Sequence, residues 1–480
     1  MENTNTMENT NTMENTNTME NTKQNKFENG LFIFRRDLRI VDNKGLYLAN
    51  TICKHIYPIF IFTPEQVSGQ NHYKSNNAVQ FMVESLIDLN KQCNNKLLTF
   101  YGHNVTIIKQ LITTLEIDCV IFNADYSPYA INRELTIIQL CDKLGIAVRY
   151  ADDYYLHEPG SILNGQGNPY QKFTPYYNVA HKKQVDVPLG KIIIHFTSTS
   201  KHLENTITLD EAFKRFTKEN PNILVHGGRS NALNQIKQAL KNVQHYSKTR
   251  DELSKPTSQL SAYIKFGCIS IREVYKIFKT NSAFIRQLYW RDFYCQILFH
   301  FPHVLGHSLN KKYDKIRWHS NASWFKKWSN GTTGFPIVDA SQRQLLHSGW
   351  THNRGRMISS SFLIKILLID WRKGEQFYAE HLVDYDPANN NGGWQWSSGG
   401  GSDAQPYFRY FNPYLQSKDH DPECEYIKTW LPELKDVPPK DIHNWETEWI
   451  NHKNTGYPKP MVNYSEQKEK SIAMYKEALY

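Results

Sequence analysis

Between Leu31 and about Tyr150, short apolar runs (LFIFRRDLRI, HIYPIFIF, KLLTFYG, DCVIFNAD and IAVRYADD) alternate with amphipathic stretches such as NNAVQFMVESLIDLNKQ and YAINRELTIIQLCDKLG. Short apolar runs bounded by turn residues read as buried strands, and apolar positions recurring at the helical period read as helices. Their alternation predicts a doubly wound α/β domain on a parallel sheet, spanning 28–155. The first strand runs into RRDLR rather than a G-x-G-x-x-G turn, which argues against a dinucleotide at the usual phosphate-binding turn of such a domain. Residues 156–225 mix Pro, Gly, Tyr and Lys without a sustained period and read as a long interdomain connection. From Ser230 onward NALNQIKQALKNV, CISIREVYKIF and ISSSFLIKILLID set a helical rhythm, so 226–480 is expected to be an all-α domain. The beginning, 1–27, is dominated by a MENTNT repeat without basic or apolar blocks. It is no signal peptide, and it is expected to be disordered.

Composition narrows the class. The 480 residues are 40% hydrophobic, enough for sizeable cores. The longest apolar candidate, SFLIKILLIDW, is broken by Lys365 and Asp370, which predicts a soluble protein without a membrane span. Seven scattered cysteines with no C-x-x-C pair point to a reducing intracellular compartment and no structural zinc. The first 22 residues carry four glutamates and no lysine or arginine, so the overall formal charge of +9 becomes +13 for the remainder. Such a positive body suits a polyanion such as nucleic acid, although AT-rich coding also produces lysine-rich chains.

All 11 tryptophans, from Trp290 to Trp449, lie in the second half. Most read as core, but Trp290 in YWRDFY and Trp394 and Trp396 in GGWQW stand among Arg, Asp, Asn and Gly, as pocket-lining indoles would. The stretch DYDPANNNGGWQW offers the carboxylates Asp384 and Asp386 but no protein nucleophile. A metal site at His300, His303 and His307 is disfavoured, because Pro302 interrupts any helical face they could share.

FRRDLRIVDN near the start, PTSQLSAYIKFG at 256–267, QLYWRDFY at 287–294, GTTGFPIVDASQRQL at 331–345, GWTHNRGRM at 349–357, LIDWRKGEQFYAEHLVDYDPANNNGGWQW at 368–396 and PYFRYFNP at 406–413 resemble, in order, the DNA photolyase and cryptochrome flavoproteins. The resemblance implies an α/β antenna domain and a helical domain holding FAD. It maps Thr257, Ser258, Gln259, Leu260 and Ser261 onto the phosphate-binding segment, with Tyr246 upstream as a flavin contact. Arg356, Asp384, Tyr385 and Asp386 map onto an Arg–carboxylate arrangement and flavin contacts, a structural ion pair being the alternative for the two aspartates. Asn390 would face the flavin N5; photolyases of this type carry Asn there, whereas animal and plant photoreceptors tend toward Cys and Asp. Trp394, Trp371 and Trp318 match an electron-transfer triad.

By the same resemblance the partner is UV-damaged DNA, and no obligate protein partner is implied, so a monomer is expected. Arg250, Gln287, Trp290, Arg291, Tyr294, Asn353, Arg354, Met357, Trp396 and Gln416 match lesion- or DNA-contacting positions. The implied reaction is light-driven electron donation from reduced FAD to a flipped-out cyclobutane pyrimidine dimer. Cyclobutane enzymes usually carry Glu where this chain has Gln287, whereas the (6-4) and animal cryptochrome branch usually has Gln; that branch, however, has two histidines where this chain has Asn353 and Met357. A (6-4) photolyase and a cryptochrome-type photoreceptor stand as alternatives. NADYSPYAINREL is similar to a region lining a second, antenna chromophore, yet lacks the glutamate of the folate contact, leaving a deazaflavin, another chromophore or an empty cleft.

Overall fold

The computed structural model describes residues 26–404 and 406–480. Five strands, β1 (Phe27–Ile33), β2 (Cys53–Phe62), β3 (Leu98–Tyr101), β4 (Cys119–Asn123) and β5 (Ala147–Ala151), form one parallel sheet in the order β3-β2-β1-β4-β5. Alternation along β1 feeds two cores. Leu31 and Ile33 pack with the Asn104–Leu115 and Pro128–Leu144 helices, while Phe32 and Phe34 pack with the Lys44–Ile52 and Asn76–Gln92 helices on the opposite face. The Asn76–Gln92 helix has the expected bounds because Ser75 caps it, accepting from the Ala78 amide at 3.2 Å.

Three expectations change. The α/β domain begins inside the stretch assigned to a tail: Phe27 already lies in β1, and the Asn29 amide donates to Asp118 at 2.9 Å. The MENTNT repeat lies outside the described residues. β1 also stops at Ile33 rather than running through RRDLR, because Asp37 draws the chain into a turn, accepting from the Arg35 amide at 2.7 Å and from Asn123 Nδ2 at 2.6 Å. Thirdly, 156–225 is not a free connection. It contains the Phe173–Ala180 and Leu209–Phe216 helices and returns to the sheet, where the Tyr101 amide donates to Asn205 and the Ile207 amide to Thr99. Phe173, Tyr176 and Phe216 are buried, so irregularly spaced aromatics, not a period, hold the segment down.

The second half is helical, with its own core around Trp328, Phe335, Phe362, Trp371 and Trp394. Its hub is the Pro387–Ser398 helix, which packs against the Ser282–His300, Asn353–Lys365 and Trp371–His381 helices. The two halves are joined by buried charge. Asp153 accepts from Arg39 Nη2 at 2.5 Å and Arg272 Nη2 at 2.7 Å, and Arg272 Nε lies 3.1 Å from Asp42; none of these side chains is more than 2% exposed. Arg36 reaches across to Asp386 at 2.7 Å while holding Asp125 at 3.1 Å. Deleting one member strands the others in a dry interior. Asp153→Ala is therefore expected to cost about 3–5 kcal/mol, read as a fall in denaturant or thermal midpoint; a change below about 1 kcal/mol would refute this account of the joint.

Candidate active site

The Pro387–Ser398 helix starts at Asp386, whose side chain accepts from the Asn389 amide at 3.0 Å and from Asn389 Nδ2 at 2.9 Å, with Pro387 at the first helical position. Capping directs this carboxylate toward the α/β domain. Asp386 thus joins Arg36, and only Asp384 pairs with Arg356, at 3.0 Å; Arg356 also donates to the Thr351 carbonyl. The Arg–carboxylate arrangement is therefore Arg356 with Asp384, while Asp386 takes part in an ion pair between the two halves. Burial opposes ionisation of Asp386, but Arg36, Arg291 and the Asn389 bonds outweigh it and hold its pKa at about 2. Tyr385 also departs from its expected place: it faces Tyr73, ring centroids 6.2 Å apart, in the cleft between the two halves. Asn390 donates to the Glu375 carbonyl at 2.9 Å, and Asn391 to the Glu375 carboxylate at 2.9 Å. Burial pushes Glu375 up to about 7.

Trp394 is not set among polar groups. It is 3% exposed, with Tyr378 at 5.1 Å and Trp328 at 6.1 Å between ring centroids. One turn of sequence separates it from the Asn-rich face, but the helix aims it into the aromatic core. Gly374 makes room: a Cβ there would meet the Trp394 ring at 2.2 Å. Trp371 is 1% exposed beneath the Arg372 guanidinium, and Trp318 is half-buried at 6.1 Å from Tyr475, so two of the three indoles are core and the third lies nearer the surface.

The loop before the Ser261–Lys265 helix is held by its carbonyls, Gln235 donating to Ser258 O at 2.9 Å and Asn242 to Thr257 O at 3.2 Å. Among the described residues the hydroxyls of Thr257, Ser258 and Ser261 bond to nothing, and none of the amides from Thr257 to Ser261 donates to the protein. Gln259 adopts φ +52° and Leu260 is buried. A turn with its donors unused and its acceptors satisfied fits a pyrophosphate. Tyr246 packs edge-on against Phe284 at 5.6 Å nearby in the fold, and Arg356–Asp384 offers a donor and an acceptor to a flavin edge, so the residues present fit FAD.

Among the residues expected to contact the lesion, Trp290 stacks on Phe173 at 3.7 Å and leans on Tyr294 at 5.6 Å. Trp396 is half-buried, 6.0 Å from Phe411. Gln287 makes only a long 3.4 Å bond within its own helix, and Asn353 lies exposed against Met357 Sδ at 3.5 Å. Arg354 and Arg250 are half-buried near Asp251, and Gln416 Oε1 is buried without a partner among the described residues. Arg291 turns away from this face, donating to the Tyr154 carbonyl at 2.7 Å and lying over Tyr155, so its expected DNA contact is replaced by a structural one. Sequence reasoning missed Arg36, Glu375, Trp328 and Asp251; the charged residues of RRDLR were the available signal, since charge beside a buried strand demands partners. No group of three His, Cys, Asp or Glu side chains among the described residues could hold a metal ion.

The sequence profile described as "FAD binding domain of DNA photolyase" matches residues 284–477, and that described as "DNA photolyase" matches 31–191. The deoxyribodipyrimidine photo-lyase of Halobacterium salinarum is 32% identical over an alignment covering 93% of this chain and 99% of that one. The chain belongs to the DNA photolyase family. The Escherichia coli deoxyribodipyrimidine photo-lyase is 31% identical, with 93% and 98% covered. The archaeal photolyase of Sulfolobus tokodaii, solved with two FAD molecules, superposes with a TM-score of 0.85 at 38% identity, covering 94% of this chain and 100% of that one. A class III photolyase from Agrobacterium tumefaciens gives 0.87 at 30%, covering 94% and 98%. This photolyase is accordingly an enzyme with an α/β antenna domain and a helical FAD domain.

A cavity of about 660 Å³ opens between its two halves, at the carboxyl ends of β1 and β4 where the strand order reverses. Open α/β sheets bind ligands at that crevice. Arg35, Tyr73, Tyr129, Arg133, Lys265 and Tyr385 line it. The NADYSPYAINREL segment contributes Asp125, Ser127 and Pro128 as well, which gives this photolyase a place for a second chromophore. Burial, with Arg36 beside it, lowers the Lys265 pKa to about 7.

Two outcomes follow from this geometry. Gly374→Ala is expected to displace the Trp394 indole and to destabilise by about 1–3 kcal/mol, seen in the thermal midpoint and in altered tryptophan emission; an unshifted midpoint would contradict the close approach. The depressed pKa of Asp386 means that its stabilisation is complete above the ordinary carboxylate range and is lost as pH falls from about 4 toward about 2. Unfolding followed across that window should show a smaller loss of stability for Asp386→Asn than for the unaltered chain, and parallel curves would refute it.

Proposed function

We propose that this enzyme binds UV-damaged DNA as a monomer and cleaves cyclobutane pyrimidine dimers with light and FAD. The match of nearly the whole chain to deoxyribodipyrimidine photo-lyases carries the reaction, and the unused donors of Thr257–Ser261 carry the cofactor's place. Reduced FAD, when bound, supplies the light-driven electron. Thr257, Ser258 and Ser261 bind its pyrophosphate, and Arg356 with Asp384 orients the ring system. Asn390, held by the Glu375 carbonyl, faces it as a neutral amide. Trp394, Trp371 and Trp318 conduct electrons from the surface through an aromatic interior that excludes water.

Trp290 and Trp396 wall the lesion, and Gln287 donates to a base carbonyl once the dimer leaves the stack. Arg250 and Arg354 hold flanking phosphates. Among the described residues no helix is long and apolar enough to cross a membrane, and all seven cysteines are unpaired thiols, which supports a reducing compartment.

The pocket chemistry favours cyclobutane dimers over (6-4) products, whose repair also needs a proton donor. Asn353 and Met357 offer none. Adjacent His352 is the N-cap of the Asn353–Lys365 helix, with Nδ1 accepting from the Arg354 amide at 3.1 Å. Burial lowers its pKa to about 4, so the ring is neutral at working pH. The test is illumination of the purified, reduced protein with separate cyclobutane and (6-4) lesion oligonucleotides. Restoration of cyclobutane dimers with the (6-4) oligonucleotide unchanged is expected; the reverse pattern overturns the reading. Gln287→Ala should weaken binding of the dimer oligonucleotide by about 1–3 kcal/mol, because a buried base carbonyl loses its donor.

A further inference from the structure

Arg250 follows the short Tyr246–Thr249 helix and Arg354 lies in the first turn of the Asn353–Lys365 helix, yet both meet one carboxylate. Asp251 Oδ1 is 2.9 Å from Arg354 Nη2, and Oδ2 is 3.7 Å from Arg250 Nε. The Nε atoms of both arginines are shielded from solvent and find no hydrogen-bond partner among the described residues. The Asp251 side chain is 35% exposed, and these two guanidinium groups are its only ion-pair partners among the described residues. It caps no helix and accepts from no amide there. One anion thus serves two cations whose planar forks are each built to grip two acceptor oxygens, the geometry of a phosphodiester.

We propose that Asp251 is a selectivity-determining residue that stands in for a DNA phosphate between Arg250 and Arg354; the inference rests on the reading that these arginines hold the backbone beside the lesion. In the free protein Asp251 keeps both guanidinium groups turned to one point. A straight, undamaged backbone competes with this carboxylate from outside and displaces it poorly. A backbone bent by extrusion of the dimer enters the site and replaces it. Asp251 therefore weakens undamaged DNA more than damaged DNA.

The experiment measures binding of the FAD-loaded protein to matched duplexes with and without one cyclobutane dimer, across a salt series. Asp251→Asn is expected to tighten undamaged binding about threefold or more at low salt and to steepen the slope of log affinity against log salt by about 0.9, one added phosphate contact. Lesion affinity should rise less, so that the preference for damage falls, while Asp251→Glu restores it. The gain should vanish when Asp251→Asn is combined with Arg354→Ala. An equal gain without Arg354 would show a long-range charge effect only and overturn the proposal, as would an unchanged preference with unaltered flavin spectrum and thermal midpoint. A wild-type protein without preference for the dimer would instead overturn the reading on which the proposal rests.

Discussion

The buried joint of Arg39, Asp42, Asp153 and Arg272, extended by Arg36 and Asp386, is the constraint on which the rest of the molecule depends. Charges taken out of water are tolerable only when every partner is in place at hydrogen-bonding distance, so the joint has one geometry or none. RRDLR leaves the end of β1 and inserts Arg36 and Arg39 between the halves, and Arg272 answers from the helical side. The relative placement of sheet and helices follows. With it come the shape of the interdomain cavity and the position of Asp386, which is at once a member of the joint and the cap of the hub helix.

From that helix the active site divides into regions of opposite character. Asn390 and Asn391 engage Glu375 on one side, while Trp394 points into a core of Trp328, Tyr378 and Phe377 on another. An apolar, close-packed surround suits electron movement, since few dipoles must reorganise when charge passes. The Thr257–Ser261 turn and the Arg250–Arg354 pair are polar, partly exposed and incompletely bonded among the described residues, as groups able to take anionic partners should be.

Much of this was legible in the chain. The strands of the sheet and the Asn76–Gln92 helix announce themselves by period and by caps, both properties of neighbouring residues. The PTSQLSA and DYDPANNNGGWQW segments carry recognisable chemistry in contiguous letters. The connection 156–225 misled because Phe173 and Tyr176 find their partners on the Ser282–His300 helix, more than a hundred residues away, so no local pattern marks them as core. Asp384 and Asp386 are nearly adjacent and chemically identical, yet one serves Arg356 and the other Arg36. Arg291 and Trp290 are neighbours too, yet the arginine donates to the Tyr154 carbonyl while the tryptophan stacks on Phe173.

The sequence by itself determined the strand–helix alternation of the first half and the two-domain order, because periodicity and capping are written within a few turns of chain, while its resemblance to a known family implied the kind of cofactor. Only the tertiary structure decided which carboxylate meets which arginine, that Trp394 is a core residue, that Tyr385 faces the interdomain cavity, and that Asp251 sits between two cationic forks. Those outcomes depend on distances between residues remote in sequence and on which charges lose their water. Both quantities exist only once the chain has closed on itself.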